Sequence, residues 1–160
     1  MRLLLICVGR SKPGPERDLA ARYIERAGAA GRSVGFTGVD LCELDESRAR
    51  RAEDRKAEEA KAIRARLPPG AEVIAFDERG KTLSSRDFAR HLGQSRDHGI
   101  GAAALIIGGP DGLAPDLRAG AALALSFGAM TFPHQLARIM AAEQIYRVAT
   151  ILAGHPYHRD

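Results

Sequence analysis

The chain is 160 residues long, 45% hydrophobic and 28% charged, with a formal charge of +4. That length suits one domain, 1–160, with one core, and the apolar content excludes global disorder. Tryptophan is absent and aromatics are only 5%, so Ala, Leu, Ile and Val must fill the interior, while the mild basicity leans toward anionic partners such as RNA.

The opening Met1-Arg2-Leu3-Leu4-Leu5-Ile6 has the look of a signal peptide. It stops at Gly9-Arg10-Ser11-Lys12 without a small-residue cleavage pattern, so Leu3 to Val8 reads instead as a strand buried on both faces. Glu16 to Ala30 follows as a helix with Leu19, Tyr23 and Ile24 on one side. Val34 to Leu44 is a second strand interrupted by Gly35 and Gly38. Cys7 and Cys42 fall inside these strands and read as buried free thiols of a reducing cytoplasm, without zinc-site spacing.

Ser47 to Leu67 is a highly charged helix whose thin apolar side is Ala49, Ala52, Ala60, Ile63 and Leu67. Its charges read as a solvated face, with RNA contact as the alternative. Pro68-Pro69-Gly70 ends it. Ala71 to Phe76 is the third strand, and Asp77-Glu78-Arg79-Gly80-Lys81 its polar exit. Ser84 or Ser85 caps a helix to about His98, with Phe88 and Leu92 facing inward. Ala102 to Ile107 is the fourth strand, followed by a short helix over Pro115 to Ala121 and a strand over Leu123 to Phe127. A long helix from His134 to Gly154 closes the pattern. Strands alternating with helices predict an α/β fold with a largely parallel sheet and helices on both faces. No apolar run is long enough to span a membrane.

Ligands of open α/β sheets lie beyond the carboxyl ends of the strands. The loops after Phe76, Ile107 and Phe127 are therefore expected to converge on one pocket. Glycines at Gly108-Gly109-Pro110 allow backbone to approach a ligand closely, or simply make a tight turn. Neither a P-loop nor a dinucleotide fingerprint is present. In the last helix, Arg138 falls in the middle of an apolar stripe made by Leu136, Ile139, Met140, Ala142, Ile145, Ala149 and Leu152. So apolar a helix belongs in a core or a dimer interface. A buried arginine needs an anionic partner, either in an internal salt bridge or across an interface toward an active site or phosphate. The ending His155-Pro156-Tyr157-His158-Arg159-Asp160 lacks the ligands for a metal site but suits RNA. Rings stack on exposed bases, and arginine pairs with phosphate.

Four blocks in order carry a resemblance over essentially the whole chain. They are Leu105-Ile106-Ile107-Gly108-Gly109-Pro110-Asp111-Gly112-Leu113, Met130-Thr131-Phe132-Pro133-His134-Gln135-Leu136-Ala137-Arg138, Glu143-Gln144-Ile145-Tyr146-Arg147 and His155-Pro156-Tyr157-His158-Arg159. The sequence closely resembles the RlmH family, small ribosomal RNA methyltransferases of the SPOUT superfamily. The family often has Glu where Asp111 stands and Pro where Gln135 stands.

The resemblance implies a C-terminal deep trefoil knot, which topology rules alone exclude. It implies S-adenosylmethionine as methyl donor, no metal, a homodimer packed through the knotted regions, and a cytoplasmic enzyme. The implied substrate is N3 of a pseudouridine in helix 69 of 23S ribosomal RNA in the assembled ribosome. It places the donor on Phe76, Asp77, Gly108, Gly109, Gly128, Ala129, Met130, Thr131, Phe132 and Pro133. Arg138, His155, Tyr157, His158 and Arg159 are the candidate catalytic residues. His155, His158 and the carboxylate of Asp160 are the candidate proton acceptors by chemistry, with Arg138 and Arg159 suited to an imide anion or phosphate. The competing readings are a non-catalytic RNA-binding assembly factor and a methyltransferase of the same fold acting on another RNA.

Overall fold

The computed structural model describes residues 1–159. Asp160, and with it one candidate proton acceptor, lies outside them. The first strand, β1 (Arg2–Val8), is buried along Leu3 to Val8 because both its faces are covered. Its side chains alternate. Leu3, Leu5 and Cys7 enter one core cluster, while Leu4, Ile6 and Val8 enter the other. The remaining strands are β2 (Gly38–Leu44), β3 (Glu72–Lys81), β4 (Ala102–Ile107) and β5 (Leu123–Leu125). They form one sheet in the order β2-β1-β4-β3-β5, and every pairing between strands is parallel.

The helices are α1 (Pro15–Gly31), α2 (Ala52–Arg64), α3 (Ser85–Asp97), α4 (Pro115–Ala119) and α5 (His134–Leu152). Residues of α1, α3 and α5 share one core with Leu3, Leu5 and Cys7. Residues of α2 and α4 share the other with Leu4, Ile6 and Val8. The expected arrangement of helices on both faces is therefore what the chain adopts. Ser84 is the residue that caps α3, accepting the Asp87 amide at 3.1 Å.

Several elements end two or three residues short of the sequence reading, β5 at Leu125 and α5 at Leu152 among them, and three boundaries differ by more, each for a tertiary reason. Strand β2 begins at Gly38 rather than Val34, because Arg32–Val34 is a 3-10 turn closed by Gly35 at φ +80. That turn seats Phe36, only 1% exposed, in the core. Helix α2 begins at Ala52 rather than Ser47, because Arg51 is extended at φ −96 and ψ 144 and the Ala49 and Arg50 carbonyls accept from the Arg55 guanidinium instead of from helical amides. Strand β3 continues through the expected polar exit to Lys81. Its pairing with β5 jumps from Phe76 to Lys81, leaving 77–80 arched out of register. A Cβ at Gly80 would lie 2.5 Å from the Leu125 carbonyl carbon, so only glycine admits this crossing.

Candidate active site

The carboxyl ends of β3, β4 and β5 open into a cleft of about 340 Å³. Phe76 and Phe127 form its apolar wall, their rings stacked at 4.7 Å and 9°. The three loops singled out from the sequence do converge here. Phe76, Asp77, Gly108, Gly109, Gly128, Met130, Thr131 and Phe132 all line the cleft. Ala129 and Pro133 belong to the same loop but lie outside the lining; Pro133 is the residue that precedes α5. The loop is shaped by Ser126, whose hydroxyl donates to the Gly128 carbonyl at 2.9 Å and accepts its amide at 3.1 Å.

Of the two reasons the sequence leaves open for the glycine corner, the tight turn is the one its packing requires. A Cβ at Gly108 would meet the Gly112 carbonyl carbon at 2.7 Å and the Leu113 amide at 2.8 Å. One at Gly109 would meet Glu59 Oε2 at 2.9 Å and Val8 at 3.1 Å. Both absent side chains make room for the protein itself. The tight turn from Gly109 to Gly112, closed by an amide–carbonyl bond of 2.9 Å, then presents backbone to the cleft.

Charged groups around the cleft come from elements the sequence could not place there. Arg118 of α4 lies 3.5 Å from Asp77. From α2, Arg55 grips both oxygens of Asp111, at 2.6 and 3.0 Å, and holds its carboxyl below the usual range. Lys56 reaches the lining from the same helix. Behind the corner, Glu59 is 5% exposed and its Oε2 has no hydrogen-bond partner. Burial raises its pKa, helped by the charges of Asp111 and Glu46 against the Ser47 amide.

None of the five candidate catalytic residues lines this cleft. Arg138 is 4% exposed and bound within the chain, donating to Glu43 Oε1 at 2.6 Å and to the Gly9 carbonyl at 2.5 Å. It is the internal salt bridge of the two arrangements its position allowed. Burial opposes ionisation of Glu43, yet the Ser11 and Arg138 hydrogen bonds hold its carboxyl below the usual range. Burial also pushes the neighbouring Cys7 thiol up to about 11, against the pull of Arg138.

The tail folds back on α5. Tyr157 places its ring 4.7 Å from that of Tyr146 and 4.9 Å from the Arg147 guanidinium. Its hydroxyl donates to Glu143 at 3.1 Å, and His158 lies 3.3 Å from Arg147. His155 and Arg159 are exposed. Glu143 is nine residues beyond His134, which lines the cleft. On a helix that is about 14 Å along the axis and about 180° around it.

Among the described residues, no helix is long and apolar enough to cross a membrane, and no group of acids, histidines and cysteines could hold a metal ion.

A parallel sheet with helices on both faces and a cleft outside its carboxyl ends defines a small-ligand-binding α/β protein. The chain belongs to the SPOUT methyltransferase family, whose model, described as predicted SPOUT methyltransferase, matches residues 1–158. A relative from Methylocella silvestris, named ribosomal RNA large subunit methyltransferase H, is 61% identical over 100% of both chains. One of the same name from Beijerinckia indica is 59% identical over 99% of both. Among solved structures, a probable methyltransferase from Bordetella pertussis superposes with a TM-score of 0.52 at 16% identity, covering 92% of this chain and 95% of the other. A probable methylase family protein from Haemophilus influenzae gives 0.50 at 14% identity, covering 99% and 70%. These two likenesses concern the fold alone.

Proposed function

We propose that the chain is an S-adenosylmethionine-dependent methyltransferase of large-subunit ribosomal RNA, acting on N3 of a pseudouridine in helix 69 of the assembled ribosome. The observation that carries this reading is the cleft itself. Its lining contains the corner and loop residues of the blocks shared with ribosomal RNA methyltransferases, in a chain 61% identical to one so named over its full length.

The residues present fit the methyl donor. The cleft lies within the range of small-molecule sites, about 300–1,000 Å³. The Phe76–Phe127 stack gives an apolar wall, and Asp77 with Asp111 gives acceptor oxygens at the lining, each already paired with an arginine. We assign Phe76, Asp77, Gly108, Gly109 and the loop from Gly128 to Pro133 to holding it. When bound, S-adenosylmethionine supplies a methyl group on a sulfonium centre.

The chain's own contribution is positioning and proton handling. The N3 imide must lose its proton before it attacks. His155 and His158 are the tail imidazoles suited to take that proton, and Arg159 is suited to stabilise the imide anion. In one chain the tail sits on the side of α5 away from the cleft. The working site therefore combines the cleft of one chain with the tail of a second in a homodimer. The outer side of α5 offers the contact surface, with Leu136 45% exposed and Ile139 and Met140 half-buried. We also infer that the β5–α5 connection is knotted, which fits the arch of 77–80 against the end of β5. The enzyme meets its substrate in the cytoplasm.

The test is transfer of labelled methyl from S-adenosylmethionine to assembled ribosomes lacking the modification, beside free 23S ribosomal RNA. Label at N3 of the helix 69 pseudouridine in ribosomes supports the reading. No label in either, from protein that binds the donor, overturns it.

A further inference from the structure

We propose that Arg48, Arg50 and Arg51, together with Lys56, form a docking surface for the phosphate backbone of the substrate RNA at the rim of the cleft. The inference rests on the reading of the chain as an RNA methyltransferase and adds the surface that holds the nucleic acid. The three arginines lie in the non-helical segment before α2, and all three are exposed. None makes an ion pair among the described residues, although most other arginines near the cleft do: Arg55 with Asp111, Arg64 with Asp116 and Arg118 with Asp77. An unpaired guanidinium in water is a ready phosphate ligand, because its planar fork meets two phosphate oxygens at once.

The placement of this segment is fixed by Arg55. Its guanidinium donates to the carbonyls of Ala49 and Arg50, at 3.0 and 3.1 Å, while gripping Asp111 of the glycine corner. A single side chain thus ties the arginine segment to the wall of the cleft. Ser47 adds a second tie through its amide to Glu59, and its hydroxyl bonds Glu58. The segment is therefore held against the cleft and not left as a free loop. Lys56 continues the positive charge into the lining, and exposed Arg79 stands on the lining from β3. Of the neighbouring exposed acids, Asp45 is paired with Arg10 and feels the charge of Arg48, Glu46 precedes the segment, and Glu53 and Asp54 stand about 60° and about 160° around the helix from Lys56. Arg50 and Arg51 lie between these two acidic pairs and carry the strip toward Lys56.

Cations on both sides of a cleft that must admit a nucleotide suit a backbone crossing its mouth. Such contacts position a nucleic acid and carry no sequence information. They also make affinity fall with salt in proportion to the number of phosphates neutralised.

The test uses the full chain with Arg48, Arg50 and Arg51 all changed to Gln, leaving Arg55 and Lys56 intact. Binding to assembled ribosomes and to a 23S ribosomal RNA transcript is measured from about 50 to about 200 mM KCl, a range over which such contacts weaken strongly. The expected result is a slope of log affinity against log salt shallower by about 2–3, from about 0.7–0.9 per lost phosphate contact. KM for ribosomes rises at least about tenfold, the loss expected of one charge-assisted contact or more, while kcat at saturation and S-adenosylmethionine affinity stay the same. The triple Arg→Lys variant recovers most of the slope. An unchanged slope and KM in the Gln variant overturns the docking surface. If polyglutamate competes as well as RNA at equal charge, the surface belongs to an acidic protein and the proposal also fails. Should the triple variant not fold, Arg50→Gln with Arg51→Gln is read the same way. Wild-type protein that binds ribosomes with a steep salt slope but transfers no methyl group leaves docking standing and sinks the methyltransferase reading. Methyl transfer by both proteins with equal KM does the reverse.

Discussion

Arg138 and Glu43 lie 95 residues apart in sequence and 2.6 Å apart in space, on α5 and β2. With the Gly9 carbonyl as a third partner, the arginine fastens α5 to the carboxyl ends of β1 and β2. Arg138→Met leaves Glu43 without its cation and the Gly9 carbonyl unpaired, and costs about 3–5 kcal/mol in denaturant unfolding. The Glu43 carboxyl is held below its ordinary 4.5, so its contribution is present above that value and fades as pH falls through the lower folded one. Acidification therefore costs the wild type more stability than it costs Arg138→Met, so the gap between them narrows as pH falls. A variant of full stability that has lost only methyl transfer would return Arg138 to the catalytic residues.

The tail divides into an anchor and a working part. Tyr157→Ala removes the ring packed on Tyr146 and Arg147 and costs about 1–2 kcal/mol, read by thermal melting. Arg159→Ala stays within about 0.5 kcal/mol of wild type. It lowers methyl transfer about 10–100-fold, the equivalent of one charge-assisted hydrogen bond. Mixing a chain that carries Arg159→Ala with a chain disabled at Gly108 restores transfer if cleft and tail act across two chains. No restoration from confirmed mixed dimers contradicts the shared site.

Much of this was legible from the residues alone. The continuous apolar runs of β1 and β4 marked buried parallel strands, and the three strand ends marked the cleft. Arg138 was readable as buried from helical spacing, but Glu43 was not readable as its partner, because nothing local links α5 to β2. The α2 side of the site was missed for the same reason. Arg55, Lys56 and Glu59 look like members of a solvated face until α2 is laid against the glycine corner. The residue types of the tail suit RNA, but nothing local shows that Tyr157 is half-buried and bonded to Glu143. Likewise Ile145, whose apolar spacing suits an interface, is 0% exposed within one chain, so Leu136 is the better position for testing dimerisation.

Substitutions at the corner differ by position. Gly108→Ala drives its Cβ into backbone at 2.7 Å, which cannot move aside, and costs about 1–3 kcal/mol. Calorimetry with S-adenosylmethionine then shows weakened binding. Gly109→Ala presses on the Glu59 carboxylate at 2.9 Å, so pairing it with Glu59→Ala recovers part of the lost stability. Gly109→Val acts by displacing α2, not by filling the cleft. A Gly109→Ala protein that melts below Gly108→Ala contradicts this geometry.

Glu59 gives the opposite pH signature to Glu43. Its pKa is raised above the ordinary 4.5, so its stabilising contribution is full below that value and is lost as pH rises through the folded one. Glu59→Gln keeps an acceptor for the Ser47 amide and carries no charge. It melts above wild type at neutral pH, by roughly 2–4 °C for each kcal/mol gained. The gap closes toward pH 4.5. A constant gap across that range would show that Glu59 titrates normally.

The strand order has a consequence during synthesis. Arg2 of β1 pairs with Ala102 of β4, so the first strand to leave the ribosome waits for a neighbour made a hundred residues later. At roughly 5–20 residues per second, that wait is roughly 5–20 s. Until Leu44 is made both edges of Leu3 to Val8 are open, and from then until β4 emerges β2 covers one edge and the other stays open and apolar. Such an edge pairs with any strand it meets. The nascent chain is thus most prone to aggregate in the window before β4 emerges, and chaperone engagement is expected to concentrate there.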